Sequence, residues 1–165
     1  MKPKVLTVVA TYNAGPFITD CLSSLQTSSV KTDVLIIDNG STDGTIQTLQ
    51  SKFPEFELIV SESNLGFGKA NNIGLHKAIK DNYEFAFLLN QDAWIQSETL
   101  NHLIAFYNSN PHYGILSPLH LNGSGDAIDP KFSHNLHVRN AAYFNDLLTG
   151  TTQEVYDINF VNAAL

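Results

Sequence analysis

The chain has 165 residues, of which 43% are hydrophobic, and this is enough to fill one core, so we predict a single domain over residues 1–165. The net charge is −7 with only nine lysines and arginines, and because phosphate-backbone binding needs clustered basic residues, a nucleic-acid partner is excluded. No apolar run approaches the roughly 20 residues that span a bilayer, and the start lacks a secretion signal, so we predict a cytoplasmic protein with no transmembrane segment.

Short apolar runs alternate with helical periods along residues 4–109. Four runs are partly β-branched and bounded by turn or polar residues, as buried strands are: Val5–Ala10, Val34–Ile37, Leu58–Val60 and Phe85–Leu89. Four helical periods follow them: Phe17–Leu25, which contains the single cysteine Cys21, Ile46–Phe53, Ala70–Ile79 and Leu100–Tyr107. The alternation predicts an α/β fold with a mostly parallel sheet, helices on both faces, and all strand carboxyl ends along one edge.

Some finer features are also expected. Ser97 is the candidate N-cap of the fourth helix, with Glu98 in its first turn, and Cys21 is predicted to be packed rather than reactive. Beyond Tyr113 we predict a short strand, an irregular stretch, a helix and a last strand, at Ile115–Leu116, 118–137, 140–148 and 155–161. The apolar end without a turn or polar tail suggests a truncated chain.

Polar side chains follow three of the predicted strands, at Thr11–Asn13, Asp38–Asn39 and Asn90–Asp92. Open α/β sheets bind ligands at this edge. A carboxylate after a buried strand is costly unless it pairs, binds a metal or stays protonated, so Asp92 is the first candidate metal ligand. With few basic residues available, a diphosphate would be held by helix-start amides and a divalent cation.

For each motif, a purely structural interpretation competes with the functional one. Asp38 sits before the turn and is favoured as an acceptor for a base N–H or a ribose hydroxyl, whereas Asp43 is favoured as a helix N-cap. In the glycine-rich stretch 64–74, Gly66 suits close approach of a ligand, and Lys69 could reach a phosphate or could simply be solvated.

Two further motifs are weighed in the same way. Asn71 and Asn72 disfavour a helix, so at least one of them should make a specific hydrogen bond. His134 and His137 lack the further ligands of a metal site, and we predict none there.

Four segments, Val8–Asn13, Ile36–Thr45, Asn64–Gly74 and Leu88–Asp92, together resemble family 2 glycosyltransferases in wording, order and spacing. The resemblance implies a GT-A fold, a Rossmann-like fold of nucleotide-diphospho-sugar transferases, with a nucleoside-diphosphate sugar donor and Mg²⁺ or Mn²⁺. The family's Asp-x-Asp motif corresponds to Asn90–Asp92, a form shared with members similar to rhamnosyl- and cell-surface polysaccharide transferases. Asp92 would then be the metal ligand. The candidate nucleotide and donor contacts are Thr11, Tyr12, Asn13, Asp38, Asn39, Gly66, Lys69, Asn71, Asn90 and Gln91.

The reaction implied by the resemblance is an inverting, metal-assisted transfer of a sugar to a saccharide or lipid-linked acceptor in cell-surface polysaccharide synthesis. It would take place in the cytoplasm, with peripheral attachment at the inner face of the membrane as one option. Residues 4–110 would form the nucleotide-sugar-binding half and residues 111–165 the start of the acceptor-side half. The family's catalytic base follows an apolar strand that resembles Asn159–Ala164, so we expect the base beyond Leu165, and we expect this chain to bind donor but to transfer little sugar.

Two other functions stay open. One is a nucleotide-sugar-binding module without catalysis. The other is a sugar nucleotidyltransferase, which would need a glycine-rich basic loop after the first strand that Thr11–Gly15 does not offer. The sequence leaves the sugar, the nucleotide, the acceptor and the oligomeric state undetermined.

Overall fold

A computed structural model describes the backbone of residues 3–139 and the side chains of residues 3–134. The chain divides into two compact units, Met1–His102 and Leu103–Leu165. The predicted helix at 140–148 and strand at 155–161 lie outside the described residues. The strands and helices run in the order β1 Val5–Thr11, α1 Ile18–Gln26, β2 Asp33–Asp38, α2 Thr45–Lys52, β3 Glu57–Val60, α3 Phe67–Lys80, β4 Phe85–Leu88, α4 Thr99–Ser109 and α5 Pro130–Arg139.

The strands β1–β4 form one parallel sheet in the order β3-β2-β1-β4. Every residue of β1 is buried, because a neighbouring strand lies on each side of it and helices cover both of its faces. All four predicted strands are confirmed, since each observed strand end lies within one residue of the predicted end. The predicted parallel α/β sheet is therefore confirmed for the first unit.

The core has two layers, one on each face of the sheet. Val9, Val34 and Ile36 pack with the apolar side of α1 on one face. Leu6, Val8, Leu35 and Ile37 pack with Ala70 and Ala78 of α3 on the other face. This division follows from the period of two along a strand, which sends neighbouring side chains to opposite faces.

Helix α3 approaches β1 closely at Gly74. A Cβ atom built on Gly74 would lie 2.4 Å from both γ-methyl carbons of Val8, a distance that real contacts do not show. Gly74 is therefore required by the spacing between helix and sheet, and not by a turn.

The start of α4 differs from the prediction. The helix begins at Thr99, so Ser97 lies two residues before it and the prediction of Ser97 as the N-cap is wrong. The Ser97 carbonyl instead accepts a hydrogen bond from the backbone N–H of Ser29, at 3.0 Å. Glu98 immediately precedes the helix, and its carbonyl accepts the hydrogen bond of the His102 amide.

The second unit departs further from the prediction. Residues 115–120 have no regular structure, so the predicted strand at Ile115–Leu116 is wrong, and Ile115 is 73% exposed. The irregular stretch predicted at 118–137 contains most of α5. A signal for this helix was present in the sequence, because Asp129 precedes Pro130 and accepts a hydrogen bond from the Phe132 amide at 2.9 Å, as an N-cap does.

We expect Gly74→Ala to lower the free energy of unfolding by about 1–3 kcal/mol, because the added methyl group forces α3 away from Val8. Urea unfolding followed by circular dichroism would measure it. The matched control is Gly68→Ala, in the same helix, where a Cβ would meet nothing within 4 Å. Alanine favours a helix over glycine, so Gly68→Ala should leave stability unchanged or slightly raised. Equal losses in the two variants would contradict the close approach.

Candidate functional site

The carboxyl ends of three strands lie side by side at one edge of the sheet. Thr11 at the end of β1 is in register with Asp38 at the end of β2, which is in register with Val60 of β3. The Asn39 amide continues this ladder and donates to the Thr11 carbonyl at 2.8 Å. The residues that the sequence places after β1 and β2 are therefore brought together at one edge.

Asp38 is fully buried, and its carboxylate accepts four hydrogen bonds. One oxygen accepts from the backbone amides of Gly40 and Ser41, at 3.1 and 2.8 Å. The other accepts from the hydroxyls of Thr11 and Ser41, at 2.8 and 2.6 Å. Both oxygens are thus engaged within the protein. Asp38 holds the end of β1 to the turn after β2, and a direct contact with base or ribose would have to displace one of these bonds.

The loop after β1 is bonded along its length to the loop after β2. The Asn13 amide donates to the Ser41 hydroxyl at 2.8 Å, and the Asn13 side-chain carbonyl accepts from the Thr42 amide at 2.9 Å. Asn13 has a φ of 49°, in the left-handed region that asparagine tolerates better than most residues. The Ala14 amide continues the series by donating to the Thr45 hydroxyl at 2.8 Å.

Asp43 has a structural role at the start of α2. Its carboxylate accepts from the Thr45 amide at 3.1 Å and from the Gly15 amide at 3.0 Å. The N-cap of α2 is Gly44, with a φ of 90°, so the prediction of Asp43 as the N-cap is wrong. Asp43 nevertheless bonds the first helical amide from the position before the N-cap. The Thr45 hydroxyl, followed by backbone amides, lowers the pKa of the Asp43 carboxyl below its ordinary value of 3.8.

The loop between β3 and α3 is attached to the β2 loop through Asn39, and a second buried asparagine lies within α3. The side-chain carbonyl of Asn39, which is buried, accepts from the Leu65 amide at 3.2 Å. Asn71 is also buried and donates to the Phe67 carbonyl at 3.1 Å, as predicted for one of the two asparagines. Gly66 precedes α3 with a φ of 79°, which glycine adopts without strain, and Lys69 on the first turn is exposed.

The loop after β4 is held from two sides. The Gln91 side-chain carbonyl accepts from the Tyr12 amide at 2.7 Å, and its NH₂ group donates to the Tyr12 carbonyl at 3.3 Å. The Cys21 thiol of α1 donates to the Asn90 carbonyl at 3.4 Å. Asp92 follows with an exposed side chain.

Cys21 is packed beneath this loop, as the sequence predicts. It is 1% exposed, and burial together with the negative charge of Asp92 raises the pKa of its thiol to about 12. The thiol therefore stays protonated and acts as a donor. Within residues 3–134, no three His, Cys, Asp or Glu side chains are grouped so that they could hold a metal ion.

Sequence reasoning missed two serines that organise this edge. Ser41 both accepts from Asn13 and donates to Asp38, and Ser24 of α1 accepts from the Ile95 amide at 3.1 Å. Neither serine stands out by periodicity or spacing. Ser41 lies in a turn where serine is common, and Ser24 contacts a residue 71 positions away.

We expect Asp38→Asn to lower the free energy of unfolding by at least about 3 kcal/mol. The amide nitrogen would face donors in place of an acceptor, and buried hydrogen bonds to a charged group contribute about 1.5–3 kcal/mol each. Urea unfolding would measure the loss, with Asp20→Asn on the exposed side of α1 as the matched control. A loss no larger than that of Asp20→Asn would contradict the anchoring role of Asp38.

The depressed pKa of Asp43 predicts a pH dependence of stability. Because the folded pKa lies below 3.8, the stabilisation is present above that value and is lost as the pH falls through the folded pKa. The stability difference between the wild-type chain and Asp43→Asn should therefore narrow as the pH falls below about 4. Urea unfolding at a series of pH values would measure it, and a constant difference would contradict the prediction.

Comparison with known proteins shows that this chain is similar to glycosyltransferases. A family model described as "Glycosyl transferase family 2" matches residues 7–161. N-acetylglucosaminyl-diphospho-decaprenol L-rhamnosyltransferase of Mycobacterium tuberculosis (strain CDC 1551 / Oshkosh) is 44% identical over 70 residues, 41% of this chain and 23% of that protein. Poly(ribitol-phosphate) beta-N-acetylglucosaminyltransferase TarS of Staphylococcus aureus (strain Mu50 / ATCC 700699) is 34% identical over 109 residues, 62% of this chain and 18% of TarS. The chain thus spans a quarter or less of the length of these two relatives.

Solved structures agree with the family match. A TarS fragment in complex with UDP-GlcNAc superposes with a TM-score of 0.57 at 30% identity, over 70% of this chain and 37% of that one. Mannosyltransferase PcManGT from Pyrobaculum calidifontis, in complex with GDP-Man and Mn²⁺, superposes with a TM-score of 0.54 at 26% identity, over 65% and 33% of the two chains. Among the described residues, no helix has the length and apolar character needed to cross a bilayer. The parallel sheet, its strand-end loops and the match over residues 7–161 identify the chain as a member of glycosyltransferase family 2 with a GT-A fold.

Proposed function

We propose that this chain binds a nucleoside-diphosphate sugar at the carboxyl edge of the sheet and contributes to transfer of the sugar to a saccharide or lipid-linked acceptor. The observation that carries the proposal is the joining of three polar loops, after β1, β2 and β4, the last of which carries the exposed carboxylate of Asp92. Two relatives with solved structures support it, since they were captured with UDP-GlcNAc and with GDP-Man.

Exposure divides the candidate residues into two groups. Tyr12, which is 47% exposed, Lys69 and Asp92 present side chains to solvent and are proposed to contact the donor. Gly66 and the first amides of α3 are proposed to receive a phosphate, because helix starts attract anions. A second group is buried or engaged by the protein and is proposed to shape the pocket: Thr11, Asp38, Asn39 and Asn71.

Three further candidate residues belong to neither group: Asn13, Asn90 and Gln91. Asn13 accepts from the Thr42 amide through its side-chain carbonyl, which leaves its NH₂ group as the candidate donor to the nucleotide. The Asn90 side chain is proposed to hydrogen-bond the donor sugar. Gln91 is engaged with Tyr12, and its role is argued separately below.

The residues present fit a divalent cation whose coordination shell is completed by the bound nucleotide and by water. Asp92 offers one exposed carboxylate, and its negative charge contributes to the raised pKa of the neighbouring Cys21 thiol. Mg²⁺ and Mn²⁺ in such sites are held by one or two carboxylates, with substrate phosphates and waters supplying the other ligands. A bound cation would stabilise negative charge on the departing diphosphate. One relative's structure contains Mn²⁺, which supports the choice of metal.

The proposed reaction is a direct displacement at the anomeric carbon. An acceptor hydroxyl attacks, a general base takes its proton, and the nucleoside diphosphate leaves, so the configuration is inverted. The residues at this edge contribute by fixing the donor, since correct placement of the reacting atoms supplies a large part of catalysis.

The relatives guide the proposed cellular role. One is named as acting on N-acetylglucosaminyl-diphospho-decaprenol and one on poly(ribitol-phosphate). The two names describe glycans built on a lipid carrier or on a polymer. We therefore propose a role in cell-surface polysaccharide synthesis on the cytoplasmic side of the membrane.

Calorimetric titration of UDP, dTDP and GDP, each with Mn²⁺ and with EDTA, tests the proposed site. We expect one nucleotide to bind in a manner that depends on Mn²⁺. Asp92→Asn should weaken that binding at least about tenfold, about 1.4 kcal/mol, because the amide is a poorer cation ligand. Asp20→Asn, which removes an exposed carboxylate on α1, is the matched control and should bind as the wild type does.

Each outcome separates the candidate functions. Failure of all three nucleotides to bind would contradict the proposal. Binding that is unaffected by Asp92→Asn would contradict the metal role of Asp92. Release of free sugar from the matching nucleotide sugar would favour the transferase over a nucleotide-sugar-binding module.

A further inference from the structure

We propose that Gln91 is a positioning residue that does not itself contact the donor. It ties the loop after β4, which carries Asp92, to Tyr12 directly after β1. The consequence for nucleotide binding rests on the function proposed above. The two hydrogen bonds between the Gln91 side chain and the Tyr12 backbone form a clamp. This clamp is a property of the free protein and can be tested without any ligand.

The clamp replaces strand pairing at the place where it stops. Strands β1 and β4 are in register from Val5 to Val8, and the Leu89 amide makes the following bond to the Val8 carbonyl at 3.0 Å. Tyr12 lies four residues beyond Val8. There the Gln91 carboxamide bonds both the N–H and the C=O of Tyr12, as the opposite residue of a hydrogen-bonded antiparallel pair would.

Two side chains of α1 hold the same loop from the other side. The Cys21 thiol donates to the Asn90 carbonyl, and the Ser24 hydroxyl accepts from the Ile95 amide and donates to the Cys21 carbonyl at 2.6 Å. Loop residues 90 and 95 are therefore bonded to α1, and residue 91 is bonded to Tyr12, which directly follows β1. Asp92 lies between these attachment points with its carboxylate exposed.

The geometry explains why glutamine suits position 91. Its amide supplies one acceptor and one donor at the same end of the side chain, which matches the paired N–H and C=O of a single residue. Glutamate would place an oxygen against the Tyr12 carbonyl, and asparagine is one methylene shorter. Because Tyr12 is proposed to contact the nucleotide and Asp92 the metal-bound diphosphate, the clamp sets the distance between two ends of one ligand.

Gln91→Met tests the clamp, because methionine keeps the length and volume but loses both hydrogen bonds. Amide hydrogen exchange measured by NMR on the free chain should show the Tyr12 amide exchanging at least about tenfold faster, while the strand amides of β1 keep their protection. The matched control is Gln96→Met, the same substitution at an exposed position five residues along the chain, which should leave Tyr12 unchanged.

Nucleotide titration distinguishes positioning from direct contact. With Mn²⁺, Gln91→Met should weaken binding at least about tenfold, since a displacement of about 1 Å in a site can have large effects. In EDTA, where Asp92 has no cation to hold, the weaker nucleotide binding that remains should differ less than about twofold between Gln91→Met and the wild type. Equal weakening under both conditions would mean that Gln91 contacts the donor, and would overturn the proposal.

The two proposals can fail separately. Unchanged exchange of the Tyr12 amide in Gln91→Met overturns the clamp whatever the nucleotide does. If the wild-type chain binds no nucleotide, the proposed function fails, and faster Tyr12 exchange in Gln91→Met still supports the clamp as the link between β1 and the β4 loop.

Discussion

A buried carboxylate with four donors around it is the constraint on which this edge of the sheet depends. Asp38 is fully inaccessible, and an ionised carboxylate in such a place is tolerated only when hydrogen bonds replace its water. Its partners come from the end of β1 and from the turn after β2. Satisfying one charge therefore fixes how two loops leave the sheet, and Ser41 extends the same network to Asn13. The four hydrogen bonds offset the cost of burying Asp38, and they also order the two loops at the site.

From this anchor, β1 acts as the centre of the site. The loop that follows β1 bonds the β2 loop through Asn13 and Ser41 and the β4 loop through Tyr12 and Gln91. It also bonds the first residue of α2, since the Ala14 amide donates to the Thr45 hydroxyl. The buried polar groups serve this framework, while side chains such as Asp92 are open to solvent and are proposed to bind the ligand. Rigid support beneath a few exposed groups is what a site needs if charge and geometry are to be presented together. Because the chain has only nine lysines and arginines, we expect a cation to balance the charge of a bound diphosphate.

The strands and the strand-end residues could be predicted because they depend on local patterns. Apolar runs such as Val34–Ile37 match strands to within a residue, and the crossover rule places Asp38 and Asp92 at one edge. The bonds that organise the edge could not be predicted in this way. Gln91 meets Tyr12 across 79 positions, and its role depends on where β1 and β4 stop pairing. The α5 helix was missed because its glycine- and asparagine-rich flank obscured the Asp129-Pro130 start.

The contact between Gly74 and Val8 has a further consequence for how this chain can vary. Val8 carries the last register pair of β1 with β4, and its side chain fills the space where a Cβ of residue 74 would stand. The two positions share one fixed volume between helix and sheet. A larger residue at 74 is compatible with the same backbone only if residue 8 becomes smaller, so the two sites form a compensating pair. Substitutions at the helix face and at the buried strand should therefore be correlated among relatives, although 66 positions separate them in the chain.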